Sequence, residues 1–330
     1  MFKKQLCSIS LLICMSICFT ACGPQGGNNS LSPSVSTSVS NPAPAESESE
    51  NINAEPVKGT RDNTPKCLVP LADGQNTIGV ETACIDISHT EDGYICVNYT
   101  GDAERTRLII TTPQNITYTY DLTKDVCDSF PLTGEAGTYN VGVYELISGN
   151  DYSILFNEDF EVSNIDEFAP YLYPNQFVKF DKNSNAVAMT SDLVLPANDD
   201  IEAITCVYNY VISNLTYDYD KAQNVESAYI PNIDNILEIK KGICFDYASL
   251  MAAMLRSQNI PTRLEIGYAG DAYHAWVSTY VEDVGWVNGI IKFDGKNWEL
   301  MDPTFASNMS EDSLKSFIGE GDNYITQYVY

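Results

Sequence analysis

Apolar and polar positions change rhythm along this chain, and each rhythm predicts a different structure. From Lys66 to about Val162 they alternate over short runs: Tyr94-Ile95-Cys96-Val97-Asn98-Tyr99, Leu108-Ile109-Ile110-Thr111-Thr112 and Tyr139-Asn140-Val141-Gly142-Val143-Tyr144. Glu91-Asp92-Gly93 signals a turn before the first run, and Gly134 and Gly137 punctuate before the third. Alternation puts every second side chain on one face of a strand, so this spacing predicts a small β-sandwich over residues 66–165. It contains no catalytic set. His89, inside Ser88-His89-Thr90-Glu91-Asp92, reads as a solvated turn residue.

From Phe168 onward the rhythm becomes helical and then returns to strands. Asp199-Asp200-Ile201-Glu202 has the form of a capping box, and Ile201, Ile204, Tyr208, Val211 and Leu215 follow at helical spacing. A second helix is expected from near Ile243 to about Ser257. Asn259 ends it, because asparagine tolerates the left-handed C′ position, and Ile260-Pro261 prevents continuation. Strand-like runs follow: Arg263 to Tyr268, His274 to Val281, Gly285 to Phe293 and Trp298 to Met301. Helices first and antiparallel strands after predict an α+β domain over 166–330. The linker 163–198 carries Phe168, Tyr171, Tyr173, Phe177 and Phe180, and so many aromatics predict that it packs.

The N-terminal segment is targeting sequence. Lys3 and Lys4 precede an apolar run from Leu6 to Phe19, too short to span a bilayer, and Phe19-Thr20-Ala21-Cys22 follows. Residues 1–21 read as a secretory signal peptide. The small Ala21 before Cys22 resembles a bacterial lipobox, which implies lipidation of Cys22 and an exported protein anchored at the cell envelope. Residues 23–65 contain no aromatic residue and are rich in Ser, Pro, Asn, Gly and Glu. Such a composition buries too little apolar surface to offset chain entropy, so 22–65 is expected to be a disordered tether.

Charge narrows the list of partners. Lys and Arg number 18 against 45 Asp and Glu, a net charge of −27. With no local basic stripe, nucleic acid is excluded as a partner. Two histidines, His89 and His274, exclude a histidine-rich metal site, and no acidic loop with glycine suggests calcium. No cofactor is expected. Of ten cysteines, Cys7, Cys14 and Cys18 fall in the signal peptide and Cys22 is the lipid site. Cys67, Cys84, Cys96 and Cys127 lie in the β region, where export permits one or two bridges of undetermined pairing. Cys206, in an apolar helix, reads as a buried structural thiol.

Cys244 needs another explanation. It opens a helix after Lys240-Lys241-Gly242-Ile243, where unpaired helix N–H groups and two nearby lysines favour a thiolate. His274 starts an apolar strand, and Asp302 ends another before Pro303. Cysteine, histidine and aspartate are the parts of a thiol nucleophile with its base and orienter. Each also has a plainer reading: a small buried hydrophobe, a satisfied core histidine and a turn aspartate. Tyr217 and Tyr219 are candidates for an oxyanion donor or cleft wall, with packing as the alternative. Trp276, Trp286 and Trp298 read as core and cleft wall, Trp276 being the candidate for substrate contact.

The local sequence goes further. Gly242-Ile243-Cys244-Phe245-Asp246-Tyr247-Ala248-Ser249-Leu250, with Ile260-Pro261-Thr262-Arg263, resembles the nucleophile segment of the transglutaminase-like superfamily. His274-Ala275-Trp276 resembles its histidine strand, and Trp298-Glu299-Leu300-Met301-Asp302-Pro303-Thr304 its aspartate segment. The resemblance covers about residues 200–307. It implies a papain-like α+β core with Cys244 as nucleophile, His274 as base and Asp302 as orienter, acting on peptide or protein amides through a thioester. Asn259 stands where the family usually has glycine. Ser278 replaces a frequent acidic residue, and a hairpin-like insertion runs from about Asn288 to Asn297. The competing reading is a lipid-anchored binding or structural protein that carries an inert domain of this kind.

Overall fold

The computed structural model describes residues 57–288, 291–293, 298–300, 302–307 and 324–330. Residues 1–56, on which the expected signal peptide, Cys22 and most of the expected tether fall, lie outside the described residues. In the first half, β1 (Thr77–Val80), β2 (Ala83–Asp86), β3 (Tyr94–Tyr99), β4 (Thr106–Thr111), β5 (Thr117–Leu122), β6 (Cys127–Pro131), β7 (Gly137–Ser148) and β8 (Asp151–Val162) form two antiparallel four-stranded sheets. Their strand orders are β1-β2-β3-β6 and β5-β4-β7-β8. The alternating positions Ile95, Val97, Leu108, Ile110, Val141 and Val143 are buried in the core, as period-two patterning requires.

The second half contains α1 (Asn185–Leu193), α2 (Asp200–Asn214), β9 (Thr216–Tyr217), α3 (Tyr219–Asn224), α4 (Ile233–Ile239), β10 (Lys241–Gly242) and α5 (Cys244–Arg256). Then come β11 (Thr262–Ala269), β12 (Ala272–Val281), β13 (Gly285–Asn288), β14 (Ile291–Phe293), β15 (Trp298–Leu300), α6 (Pro303–Ala306) and β16 (Tyr324–Val329). The antiparallel sheet runs β13-β12-β11-β16. Every residue of α5 from Asp246 to Arg256 is buried, because the helix is packed by α1, α2 and α4 and by strands β11 and β12. A helix covered on all sides must be apolar all round, and Ala248, Leu250, Met251, Ala252, Ala253, Met254 and Leu255 supply that. Asn259 ends it at φ 60°, as its residue type suggested. The architecture is α+β, with a β-rich part before it.

Arg256, the last residue of α5, is a fully buried cation. Its Nε donates to the Thr262 carbonyl at 2.9 Å, Nη1 to Tyr173 at 2.8 Å and Nη2 to the Tyr330 backbone oxygen at 2.7 Å. Three segments distant in sequence are thereby stapled to one helix end. Aromatic contacts join the two halves: Tyr118 and Tyr120 meet Tyr330 edge-on, and Tyr120 stacks on Phe177.

Five expectations change. The run Gly285 to Phe293 is two strands, since β13 pairs with β12 whereas β14 pairs with β15. The inserted hairpin is β14–β15, shifted toward the C-terminus of the predicted span. The linker 163–198 packs, and it also holds α1. The tether does not extend to residue 65: Gly59 N–H donates to the Leu195 carbonyl at 2.8 Å and Arg61 N–H to Ala197 at 3.1 Å. Arg61 Nε reaches Asp200 Oδ1 at 2.7 Å, and its Nη2 reaches the Gln258 carbonyl at 2.6 Å. A polar segment is held by main-chain bonds and one guanidinium rather than by apolar burial. A Cβ on Gly59 would lie 2.1 Å from the Ala197 oxygen, so glycine alone allows this approach. Finally, His89 is not simply solvated. It lies between Asp92 and Asp73, each 3.2 Å from a ring nitrogen, and stacks on Tyr94.

Candidate active site

Cys244 sits at the first position of α5, and the loop before it is fixed by Asp246. That carboxylate is fully buried. It accepts from the Ile243 N–H at 2.8 Å, closing the capping arrangement at the helix start, and from Lys221 Nζ at 2.6 Å and Tyr229 Oη at 2.5 Å. β10 pairs with β9 so that Gly242 lies opposite Tyr217, and Asp218 N–H donates to the Gly242 carbonyl at 2.8 Å. A Cβ on Gly242 would lie 2.7 Å from the Asp246 Cβ, so glycine is needed here for close approach. The nucleophile candidate therefore stands on a strand, a cap and a buried ion pair, with its thiol partly exposed.

β12 carries His274 to the same place. Its Nε2 lies 2.7 Å from Asp302 Oδ2, and both side chains are buried. The imidazole is also paired with Cys244. With Nε2 turned to Asp302, Nδ1 is the nitrogen that can face the thiol. Burial works against the imidazolium, yet the Asp302 carboxylate and the Cys244 sulfur outweigh it and push His274 up to about 10. Asp302 is held in turn: its Oδ1 accepts from the Thr304 N–H at 2.9 Å, at the start of α6, and its Oδ2 from Tyr324 Oη at 3.2 Å. Burial, and then Asp302, push the Tyr324 phenol well above its ordinary value, so it stays protonated and donates.

The structure thus brings Cys244, His274 and Asp302 together. Tyr217 is beside them: burial and the nearby Cys244 sulfur push its phenol up. Tyr219 is 62% exposed and packs edge-on against Tyr217, ring centroids 5.0 Å apart. Trp276 is only 3% exposed. It packs edge-on to Tyr324 and parallel to His274, so it is wall rather than a surface that substrate can reach. Cys22 lies outside the described residues. Sequence reasoning missed Asp246, Lys221, Tyr229, Tyr273 and Tyr324. Asp246 was detectable as an acid three residues after the helix cap. Tyr273 borders Cys244 from β12. Tyr324 reaches the site only because β16 pairs with β11, a long-range contact with no local signal.

Residues 187–289 match the transglutaminase-like superfamily. A UPF0252 protein of Methanocaldococcus jannaschii is 30% identical over 105 residues, 28% of this chain and 30% of that protein. The kyphoscoliosis peptidase of Mus musculus is 24% identical over 161 residues, 43% of this chain and 22% of its own length. The match therefore spans less than a third of either relative. The periplasmic domain of TgpA from Pseudomonas aeruginosa superposes with a TM-score of 0.33 at 16% identity, over 69% of this chain and 97% of that one. The similarity to the transglutaminase-like superfamily thus lies in the C-terminal half of this chain, over residues 187–289.

Proposed function

We propose that this protein is a thiol acyl-transfer enzyme that acts on peptide or protein amides at the cell envelope. The observation that carries the reading is the buried 2.7 Å contact between His274 and Asp302, with the imidazole paired to Cys244 at a helix start. In this mechanism the Cys244 proton rests on His274 before attack, as its raised pKa requires, and the thiolate of the resulting thiolate–imidazolium pair attacks the amide carbonyl carbon. Asp302 holds Nε2–H and stabilises the imidazolium. The Cys244 main-chain N–H, at the start of α5, is placed to receive the oxyanion. His274 then protonates the leaving amine, and a thioester remains on Cys244. Water resolves it to a carboxylic acid, which is hydrolysis or deamidation; an amine resolves it to a new amide. The anchor rests on Lys3, Lys4, the Leu6–Phe19 run and Ala21-Cys22.

Iodoacetamide labelling of the full chain against pH, with peptide mapping of Cys244, tests the chemistry. Labelling well below about pH 8.5, the range of an ordinary thiol, and a return toward ordinary titration in His274→Ala is the expected result. Ordinary titration in both proteins rejects the reading. For the anchor, Cys22→Ala should move the exported protein from the detergent phase to the aqueous phase; an unchanged partition rejects lipidation at this residue.

A further inference from the structure

The sandwich carries thiols that the acyl-transfer reading does not use. In the β3–β6 pair Cys96 lies opposite Ser129 and Asn98 opposite Cys127. Residues two apart share a face, so Cys96 and Cys127 are diagonal neighbours on one side of the sheet. Cys96 is buried, with its thiol 3.4 Å from the Leu71 carbonyl; Cys127 is exposed. The Cys96 S–H can donate to a Cys127 thiolate. That bond outweighs burial and draws the Cys127 thiol down to about 7. The same bond, reinforced by burial, keeps Cys96 protonated.

Both cysteines line a cleft of about 440 Å³ between the sandwich and the C-terminal half, together with Pro70, Asn175, Lys179 and Asp181. Asn175 Nδ2 is buried without a hydrogen-bond partner among the described residues. A polar cleft with an unsatisfied donor in its wall suits a small disulfide bearing amide or carboxylate groups. Cys84 is not the partner of Cys127. It lies opposite Asn98 from the other side, which places it two strand spacings from Cys127, about 9.5 Å, beyond disulfide reach.

We propose that Cys96 and Cys127 form a reactive dithiol, which a low-molecular-weight disulfide oxidises to a cross-strand bond, with Cys127 attacking and Cys96 resolving. The Cys127 thiolate attacks one sulfur of the reagent, forms a mixed disulfide and expels one thiolate. Cys96 then gives up its proton, attacks the Cys127 sulfur and expels the second. The protein loses two electrons and two protons, and the reagent is reduced to two thiols. Diagonal neighbours lie at the edge of disulfide reach, about 7 Å between Cα atoms, so the strands must draw together and the bond stays reducible.

The test treats the reduced full chain with oxidised glutathione, blocks the remaining thiols and maps peptides by mass spectrometry. A Cys96–Cys127 crosslink is expected, reversed by excess reduced glutathione, and Cys96→Ser should hold glutathione on Cys127 as a stable mixed disulfide. Cys127→Ser, a surface change that spares the fold, should leave Cys96 unmodified. Three results overturn the proposal: glutathione retained on Cys127 in the unsubstituted protein, a crosslink of either residue to another cysteine, or both thiols remaining open to alkylation.

Discussion

Replacing Asp246 with alanine tests whether the nucleophile is held by a buried charge rather than by its helix alone. Asp246 is fully buried and serves three donors: Ile243 N–H, Lys221 Nζ and Tyr229 Oη. Loss of the cap costs about 1 kcal/mol. Loss of two hydrogen bonds to a charged acceptor costs about 1.5–3 kcal/mol each. Against this, the carboxylate no longer has to leave water, and the Lys221 side chain is 23% exposed, so solvent can take up part of its charge. The net loss should be about 3–5 kcal/mol, the range for breaking a buried pair from one side. For a chain of this size that lowers the melting temperature by roughly 10 °C. Asp246→Asn retains an acceptor for Ile243 and should fall between parent and alanine. The assay is a thermal melt by circular dichroism, read beside iodoacetamide labelling of Cys244 on protein kept well below the transition. In the folded variant, the neutral-pH labelling of Cys244 should slow, because the loop that aims the thiol has lost its anchor. A melt within about 2 °C of the parent, with labelling unchanged, would refute the argument.

Two further predictions concern the histidine and its support. Tyr324→Phe removes one 3.2 Å hydrogen bond to the Asp302 carboxylate and leaves the His274 contact in place, so stability should fall by about 1.5–3 kcal/mol, the range for a charged acceptor. Denaturant titration should show a lower midpoint at unchanged slope, and a loss above 3 kcal/mol would mean that Tyr324 does more than donate. His274 is raised in the folded chain from 6.5 to about 10, so its contribution to stability is complete below about pH 6.5 and is lost as pH rises toward 10. The parent's melting temperature should therefore fall across that window, and Asp302→Asn should flatten the fall; parallel curves would refute the pairing.

The nucleophile helix was legible because its signals are local: a glycine before Cys244, an apolar body, and Asn259-Ile260-Pro261 at its end. The strands of the sandwich were legible for the same reason. The short helices α1, α3 and α4 were not, because Asn185–Leu193, Tyr219–Asn224 and Ile233–Ile239 are too brief for a helical period to stand out. Nor was β16. Its pairing with β11, and hence the reach of Tyr324 to Asp302, depends on a partner more than fifty residues away. Residues 57–65 failed for the opposite reason. Their composition describes a chain with nothing to bury, while Arg61 and two backbone donors depend on acceptors near residues 195–200 and 258 that composition does not encode.

The strap formed by residues 57–66 decides where mechanical load enters the molecule. A pull on residue 57 does not reach the sandwich first, although the sandwich comes next in sequence. Gly59 and Arg61 hand the tension to the segment before α2, and Arg61 and the Lys66 N–H hand it to Gln258 and Ser257, just past the end of α5. Bonds drawn along the line of force must break almost together, whereas bonds drawn across it open one by one. Tension from the N-terminal side therefore meets the half of the molecule that holds Cys244 before it meets the sandwich.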